Sequence, residues 1–276
     1  MLNNIIKIKD DEFLELRDII YQNSAIAFVD SKKYLMENRL SKRLQELNFS
    51  SFKDYIYFLK YDVNRRKELD VMINLITINE TYFLRERPQM DHLIKTTLPD
   101  LISKGKKNIR IWSAACSTGE EPYSLAILIK EAGLYNRASI EIVGTDINSD
   151  VVDFAKRGEY RSMSFRGVPA NFQPTYFKQQ QLLYLLNDEI KQKVKFTVGN
   201  LTTPGIATLV GKFDVIFCRN VLIYFDMDGK KKVIDMFYNV LNTPGYLYLG
   251  HSESIHKIST SYVVNNFGSG LVHLKQ

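Results

Sequence analysis

The chain has only two cysteines, Cys116 and Cys218, in 276 residues. Both sit inside apolar, strand-like runs, which argues against a disulfide framework and makes a reducing cytoplasm the expected compartment. The four histidines (His92, His251, His256 and His273) have no close ligand spacing with those cysteines, so no metal site is expected. No apolar run approaches the roughly 18 residues of a membrane span, which excludes membrane insertion as an expectation. The first stretch, MLNNIIKIKDDEF, lacks the apolar core and small-residue cleavage site of a signal peptide. Charge of one sign is also lacking: 37 Lys+Arg against 31 Asp+Glu leave a net +6. Such mild basicity favours acidic partners, and no basic-and-aromatic motif points to nucleic acid.

Residues 10–78 contain neither glycine nor proline. Apolar residues recur there at helical spacing: Phe13, Leu16, Ile19 and Ile20, then Tyr34, Leu35, Leu40, Leu44 and Leu47 after a cap at Asp30 or Ser31. Further helices are expected from Ser50 and from Asn64 to Leu75. The texture changes after residue 105. KKNIRIWSAA, IEIVGTD, VKFTVGN, FDVIFCRN and GYLYLGH read as strands, and EEPYSLAILIKEAG and SDVVDFAKRG as helices. Strands alternating with helices predict a parallel sheet with crossover helices. SYVVNNFGSGLVHLK predicts a terminal hairpin. Residues 159–193 break the alternation and read as an insertion with a small antiparallel unit. The length admits roughly two domains: a helical one over 1–85 and an α/β one over 106–276, joined by a helix at 86–105.

The chemistry-bearing residues cluster at predicted strand ends, where open α/β sheets bind ligands. The first turn, Trp112 to Pro122, is built of small residues, Ala114 among them, that let a ligand approach the backbone. It lacks G-x-G-x-x-G, which disfavours a dinucleotide. Glu120 and Glu121 would repel a pyrophosphate and favour a ligand carrying positive charge. Asp146 ends the second strand and suits the two hydroxyls of a ribose. Its other reading is a helix cap, a task Ser149 or Asp150 can take. Asn200 and Leu201 follow the third strand, where an amide can read an adenine edge. Arg219 and Asn220 end the fourth. Together these ends describe an adenosine with a cationic, amino-acid-like tail, for which S-adenosylmethionine is the natural candidate.

These residues carry a family resemblance. The chain resembles the chemotaxis receptor methyltransferases of the CheR type, from about residue 10 to residue 273. Four stretches carry it: Asn79–Glu86, Trp112–Ser124, Phe213–Phe225 and Gly250–Glu253. The resemblance implies an α/β fold, a Rossmann-like S-adenosylmethionine-dependent methyltransferase domain with an inserted antiparallel β-subdomain, preceded by an all-α domain. It implies methyl transfer to glutamates on the cytoplasmic helices of chemoreceptors, leaving S-adenosylhomocysteine. It implies cofactor contacts at Asn79, Thr81, Arg85, Glu121, Asp146, Asn200, Leu201, Arg219 and Asn220, with Tyr224 near the transferred methyl. Arg85 and Tyr224 are the expected catalytic pair; their other readings are an interdomain salt bridge and a core aromatic. Arg39, Lys42 and Arg43 share one helix face and match the family's receptor-facing helix. Where family members that bind a tethering peptide carry a glycine-containing hairpin turn, Tyr176–Leu183 runs on with no glycine before Gly199, which points to a shortened loop and to action independent of a tethering peptide. Nothing demands more than a monomer. Two rival readings remain: a related methyltransferase with another acceptor, and a non-catalytic sensor of the cofactor or its product.

Overall fold

A computed structural model describes residues 5–276. Residues 1–4 of the expected helical domain lie outside the described residues. Four helices build that domain: α1 (Asp10–Ser24), α2 (Lys33–Glu46), α3 (Phe52–Tyr61) and α4 (Arg65–Ile76). Their apolar stripes meet in one core around Phe13, Leu16, Ile20, Leu40, Leu44, Phe52 and Tyr55. A short 3₁₀ turn, Asp30–Lys32, precedes α2. Ser51 caps α3, accepting from the Asp54 N–H at 3.2 Å.

The expected basic face of α2 is not a uniform solvated stripe. Arg43 forms a two-pronged pair with the buried Glu68, Nε–Oε1 2.9 Å and Nη2–Oε2 2.5 Å, and the Tyr55 hydroxyl donates to the same carboxylate. Arg39 donates to the carbonyls of Ile76 and Thr77 at the end of α4. Only Lys42 stands in solvent, 3.7 Å from Glu46. Helix spacing puts the three on one side of α2, but α4 packs there and claims two of them.

The helix expected at 86–105 is present in two halves, α5 (Arg87–His92) and α6 (Leu98–Ser103), joined by a π-helical turn. It is no free spacer: Met90, Leu93, Leu98 and Leu101 join the core of the sheet domain.

That domain runs β1 (Asn108–Ala114), α7 (Glu120–Glu131), β2 (Ser139–Asp146), α8 (Ser149–Arg157), β3 (Glu159–Tyr160), α9 (Phe172–Tyr176), β4 (Phe177–Gln180), β5 (Leu183–Leu186), α10 (Asp188–Lys191), β6 (Val194–Val198), α11 (Ile206–Val210), β7 (Phe213–Cys218), α12 (Met227–Val240), β8 (Leu241–Leu249), β9 (Val263–Asn266) and β10 (Leu271–Lys275). The large sheet has the order β6-β2-β1-β7-β8-β10-β9. Its first five strands are parallel, and β10 runs antiparallel to both its neighbours. Alternate residues of β1 point to opposite faces: Ile109 and Ile111 enter one core, Trp112 and Ala114 the other. Strand β1 lies between β2 and β7, where the strand order reverses. Such a switch point opens a crevice at the carboxyl ends of the strands.

The insertion forms a second sheet, β3-β5-β4, all antiparallel. Only Gln181 and Leu182 separate β4 from β5. Gln181 has a φ of 55°, and Leu182 is 84% exposed.

Candidate active site

A cavity of about 430 Å³ opens at the switch point, within the usual range for small-molecule sites. Asn79, Thr81, Arg85, Glu121, Asp146, Asn200, Leu201, Arg219, Asn220 and Tyr224 all line it. Ala114 does not. It points into the sheet core, and its neighbour Ala115, at φ 62°, lines the wall. Ala114 is the last residue of β1, and the left-handed backbone at Ala115 turns the next residue toward the cavity.

The turn after β1 is built from unusual backbone. Ala115, Ser117 and Gly119 all have positive φ, at 62°, 49° and 90°. A Cβ at Gly119 would lie 2.8 Å from the Ala155 Cβ, so glycine is required there. This winding aims the Ser117 N–H at Asp146 Oδ2, 2.8 Å away. The Asn148 N–H reaches Oδ1 at 3.0 Å. Burial pushes the Asp146 carboxyl up, while these backbone donors pull it down. Asp146 does not cap α8; Asn148 does, accepting from the N–H groups of Asp150 and Val151. Asp146 thus keeps acceptor capacity for hydroxyl donors in the cavity.

Glu120 and Glu121 separate. Glu120 turns away from the cavity and accepts from Thr118 and Ser164 hydroxyls. Glu121 faces it, with Oε1 on Ser113 Oγ and Oε2 on Arg219 Nε at 2.6 Å. The Arg219 side chain is only 2% exposed. Its Nη1 also donates to the carbonyls of Arg85 and Glu86. One buried guanidinium therefore ties β7, α7 and the segment carrying Arg85 together.

The loop after β7 depends on a residue outside the expected site set. The Glu253 carboxylate accepts four backbone N–H groups: Asn220 and Gly250 at Oε2, Val221 and Leu222 at Oε1, all within 2.7–2.8 Å. A Cβ at Gly250 would meet Glu253 Oε2 at 2.7 Å, so the close approach requires glycine. Glu253→Gln replaces one acceptor oxygen with an amide donor facing two backbone donors. Stability is expected to fall by roughly 2–4 kcal/mol, measurable by urea unfolding.

The helical domain closes the cavity. Ser24, Ile26, Ala27 and Phe28 line one wall. Ala27 N donates to Tyr224 O, and Asn200 Nδ2 donates to Asn23 O. The Asn200 amide is therefore tied to the helical domain, with its oxygen on Thr202. Asn74 Oδ1 accepts the Ser149 N–H, and Asn148 Nδ2 donates to Asn74 O, so α4 and α8 are locked together. Arg85 sits between two strained neighbours, Leu84 at φ 60° and Glu86 at φ 51°. Left-handed leucine is a costly conformation. It is held by the Leu84 N–H to Ser124 Oγ at 2.9 Å. Arg85 donates to Glu80 O at 2.8 Å and has no carboxylate partner among the described residues. Tyr224 is half-buried, and burial raises its hydroxyl above the ordinary range, so it stays protonated at neutral pH.

Known families match both halves of the chain. The all-alpha domain of CheR methyltransferase matches residues 11–77, and the CheR methyltransferase SAM binding domain matches residues 79–267. The chain belongs to the CheR methyltransferase family. Chemotaxis protein methyltransferase 2 of Vibrio cholerae serotype O1 is 38% identical over 267 residues, covering 96% of this chain and 92% of that protein. The chemotaxis protein methyltransferase of Borreliella burgdorferi is 37% identical over 257 residues, covering 91% and 90%. The cofactor of this CheR-family methyltransferase is S-adenosylmethionine. The cavity fits it: Asp146 offers acceptors for ribose hydroxyls, Glu121 faces the interior for a cationic amine, and Leu201 supplies an apolar wall. Among the described residues no helix is long and apolar enough to cross a membrane.

Proposed function

We propose that this CheR-family enzyme forms methyl esters on glutamate side chains of chemoreceptor cytoplasmic helices, in the cytoplasm, for sensory adaptation. The observation that carries the reading is Arg85: a guanidinium on the cavity wall, in strained backbone, without a carboxylate of its own. An acceptor carboxylate would complete it. Asn79, Thr81, Glu121, Asp146, Asn200, Leu201, Arg219 and Asn220 hold or frame the cofactor. S-adenosylmethionine held there would supply a sulfonium methyl, whose carbon–sulfur bond breaks as the carboxylate oxygen bonds to the methyl carbon, with S-adenosylhomocysteine leaving as a neutral thioether and no proton transferred. A glutamate has a pKa of about 4.3 and is already ionised at neutral pH. The chain therefore needs no general base. Arg85 aligns the carboxylate, and the protonated Tyr224 shapes the methyl pocket. The relatives' names, chemotaxis protein methyltransferase, support a chemotaxis substrate. The two-residue β4–β5 turn supports action independent of a tethering peptide.

Of Arg39, Lys42 and Arg43, the solvent-exposed Lys42 is the one placed to meet an acidic acceptor. Lys42→Glu is expected to raise KM for the receptor fragment about 3-fold at low salt, less at high salt, with cofactor affinity unchanged. Steady-state kinetics at two ionic strengths check this. Arg43→Glu is a poor probe, since it sets a like charge against buried Glu68. The acceptor chemistry is tested with labelled S-adenosylmethionine and the cytoplasmic fragment of a chemoreceptor. Label released by mild base supports an ester; base-stable label indicates N-methylation and overturns the reading.

A further inference from the structure

Glu80 places an acidic side chain on the cavity wall. On the carboxylate-acceptor reading, that charge would repel the substrate. It would also compete for Arg85, whose guanidinium already donates to the Glu80 backbone carbonyl at 2.8 Å. In the structure Arg85 does not pair with that carboxylate, because Arg166 takes it, Nη2 to Oε1 at 2.6 Å. The same Arg166 guanidinium lies 4.2 Å from the Tyr82 ring centroid, and Arg85 lies 5.8 Å from it. One cation from the insertion thus contacts two residues of the Asn79–Glu86 segment, Glu80 and Tyr82, and the Tyr82 ring lies between it and Arg85.

Arg166 is held from behind. It follows the short turn Ser162–Phe165. The Ser164 carbonyl accepts the Phe83 N–H at 2.9 Å, and the Phe165 ring stacks on Phe83 with centroids 5.2 Å apart. Phe83 itself is buried among Tyr160, Phe172 and Phe177. The exposure of the ion pair decides its meaning. Arg166 and Glu80 side chains are 39% and 67% exposed. A pair so open to water adds little to stability, so stabilisation does not account for it.

We propose that Arg166 is a positioning residue for the acceptor: by neutralising Glu80 it keeps Arg85 unpaired for the incoming carboxylate. The proposal rests on the carboxylate-acceptor reading. It assigns the β-subdomain a part in the methyl-transfer site itself.

The test is steady-state methyl transfer by the full chain to a chemoreceptor cytoplasmic fragment, with cofactor affinity measured separately by calorimetry. Arg166→Ala is expected to raise KM for the fragment about 5- to 10-fold, with cofactor affinity and melting temperature close to the parent's. Arg166→Lys recovers part of the loss. Adding Glu80→Gln to Arg166→Ala returns KM toward the parent value, because the charge to be neutralised is gone. A double variant no better than Arg166→Ala overturns the proposal, as does a parallel loss of cofactor affinity. Should Arg166→Ala misfold, Glu80→Gln alone decides: KM at or below the parent's supports the proposal, and a raised KM overturns it. Wild-type protein that leaves no base-labile label overturns the acceptor reading and this proposal with it. That result is visible before any variant is made.

Discussion

Arg219→Ala is expected to destabilise the protein by about 3–5 kcal/mol and to abolish cofactor binding. The arginine side chain is 2% exposed and its partner Glu121 is 12% exposed. Removing the cation leaves a carboxylate in a poorly solvated site with Ser113 as its remaining hydrogen-bond partner. It also frees the carbonyls of Arg85 and Glu86, which Arg219 holds at 2.8 and 3.3 Å. Breaking one partner of such a buried pair costs far more than the pair contributes, because the survivor stays unsatisfied. Arg219→Lys does not rescue it, since one ammonium cannot serve carboxylate and carbonyls in the geometry of a planar fork. Urea unfolding reads the stability loss. Calorimetry with S-adenosylmethionine reads the binding loss, and a variant that still binds with parent affinity contradicts the assignment.

Arg85→Ala is expected to lower turnover on a receptor fragment by about 100-fold or more while the melting temperature hardly moves. The contrast with Arg219 is physical. The Arg85 side chain is partly exposed and makes one hydrogen bond, to the Glu80 carbonyl. Its deletion orphans no buried charge. Its place is instead maintained by its neighbours, with Leu84 and Glu86 both held in left-handed backbone. Strain of that kind persists only where surrounding contacts enforce it; here Ser124 holds Leu84, and Arg219 and Asn220 hold Glu86. Arg85 is also among the expected cofactor contacts, so calorimetry is read beside single-turnover rates: a loss of turnover that exceeds the loss of cofactor affinity assigns Arg85 to alignment of the acceptor. Near-normal turnover would remove Arg85 from the mechanism.

The strand ends, and with them Asp146, Glu121, Arg219 and Asn220 on the cavity, were legible because the chemistry sits where parallel strands must stop, whereas Tyr224 was legible only through the family resemblance. The helical domain was legible from its period and from its lack of glycine and proline. What was not legible depends on partners far away in the chain. Arg39 and Arg43 read as a charged face, yet Ile76, Thr77 and Glu68 lie more than 20 residues on and claim them. Asn200 reads as a free amide, yet it is bonded to Asn23 across the domain boundary. Ala114 and Ala115 differ only in the face they present, and the left-handed φ that turns Ala115 to the cavity has no glycine to signal it. Glu253 could have been suspected from the Gly250–Glu253 stretch. Its four backbone donors become visible only once β8 places it beside the loop after β7.

The most direct measurement is the pH dependence of single-turnover methyl transfer to the receptor fragment. An ionised glutamate that needs no base gives a rate nearly level from about pH 6 to 8.5, falling only as the acceptor carboxyl protonates near its ordinary value of about 4.3. Tyr224, with its hydroxyl raised by burial, adds no limb in that window. A rate that climbs through a neutral pKa would instead assign a protein base and contradict the account.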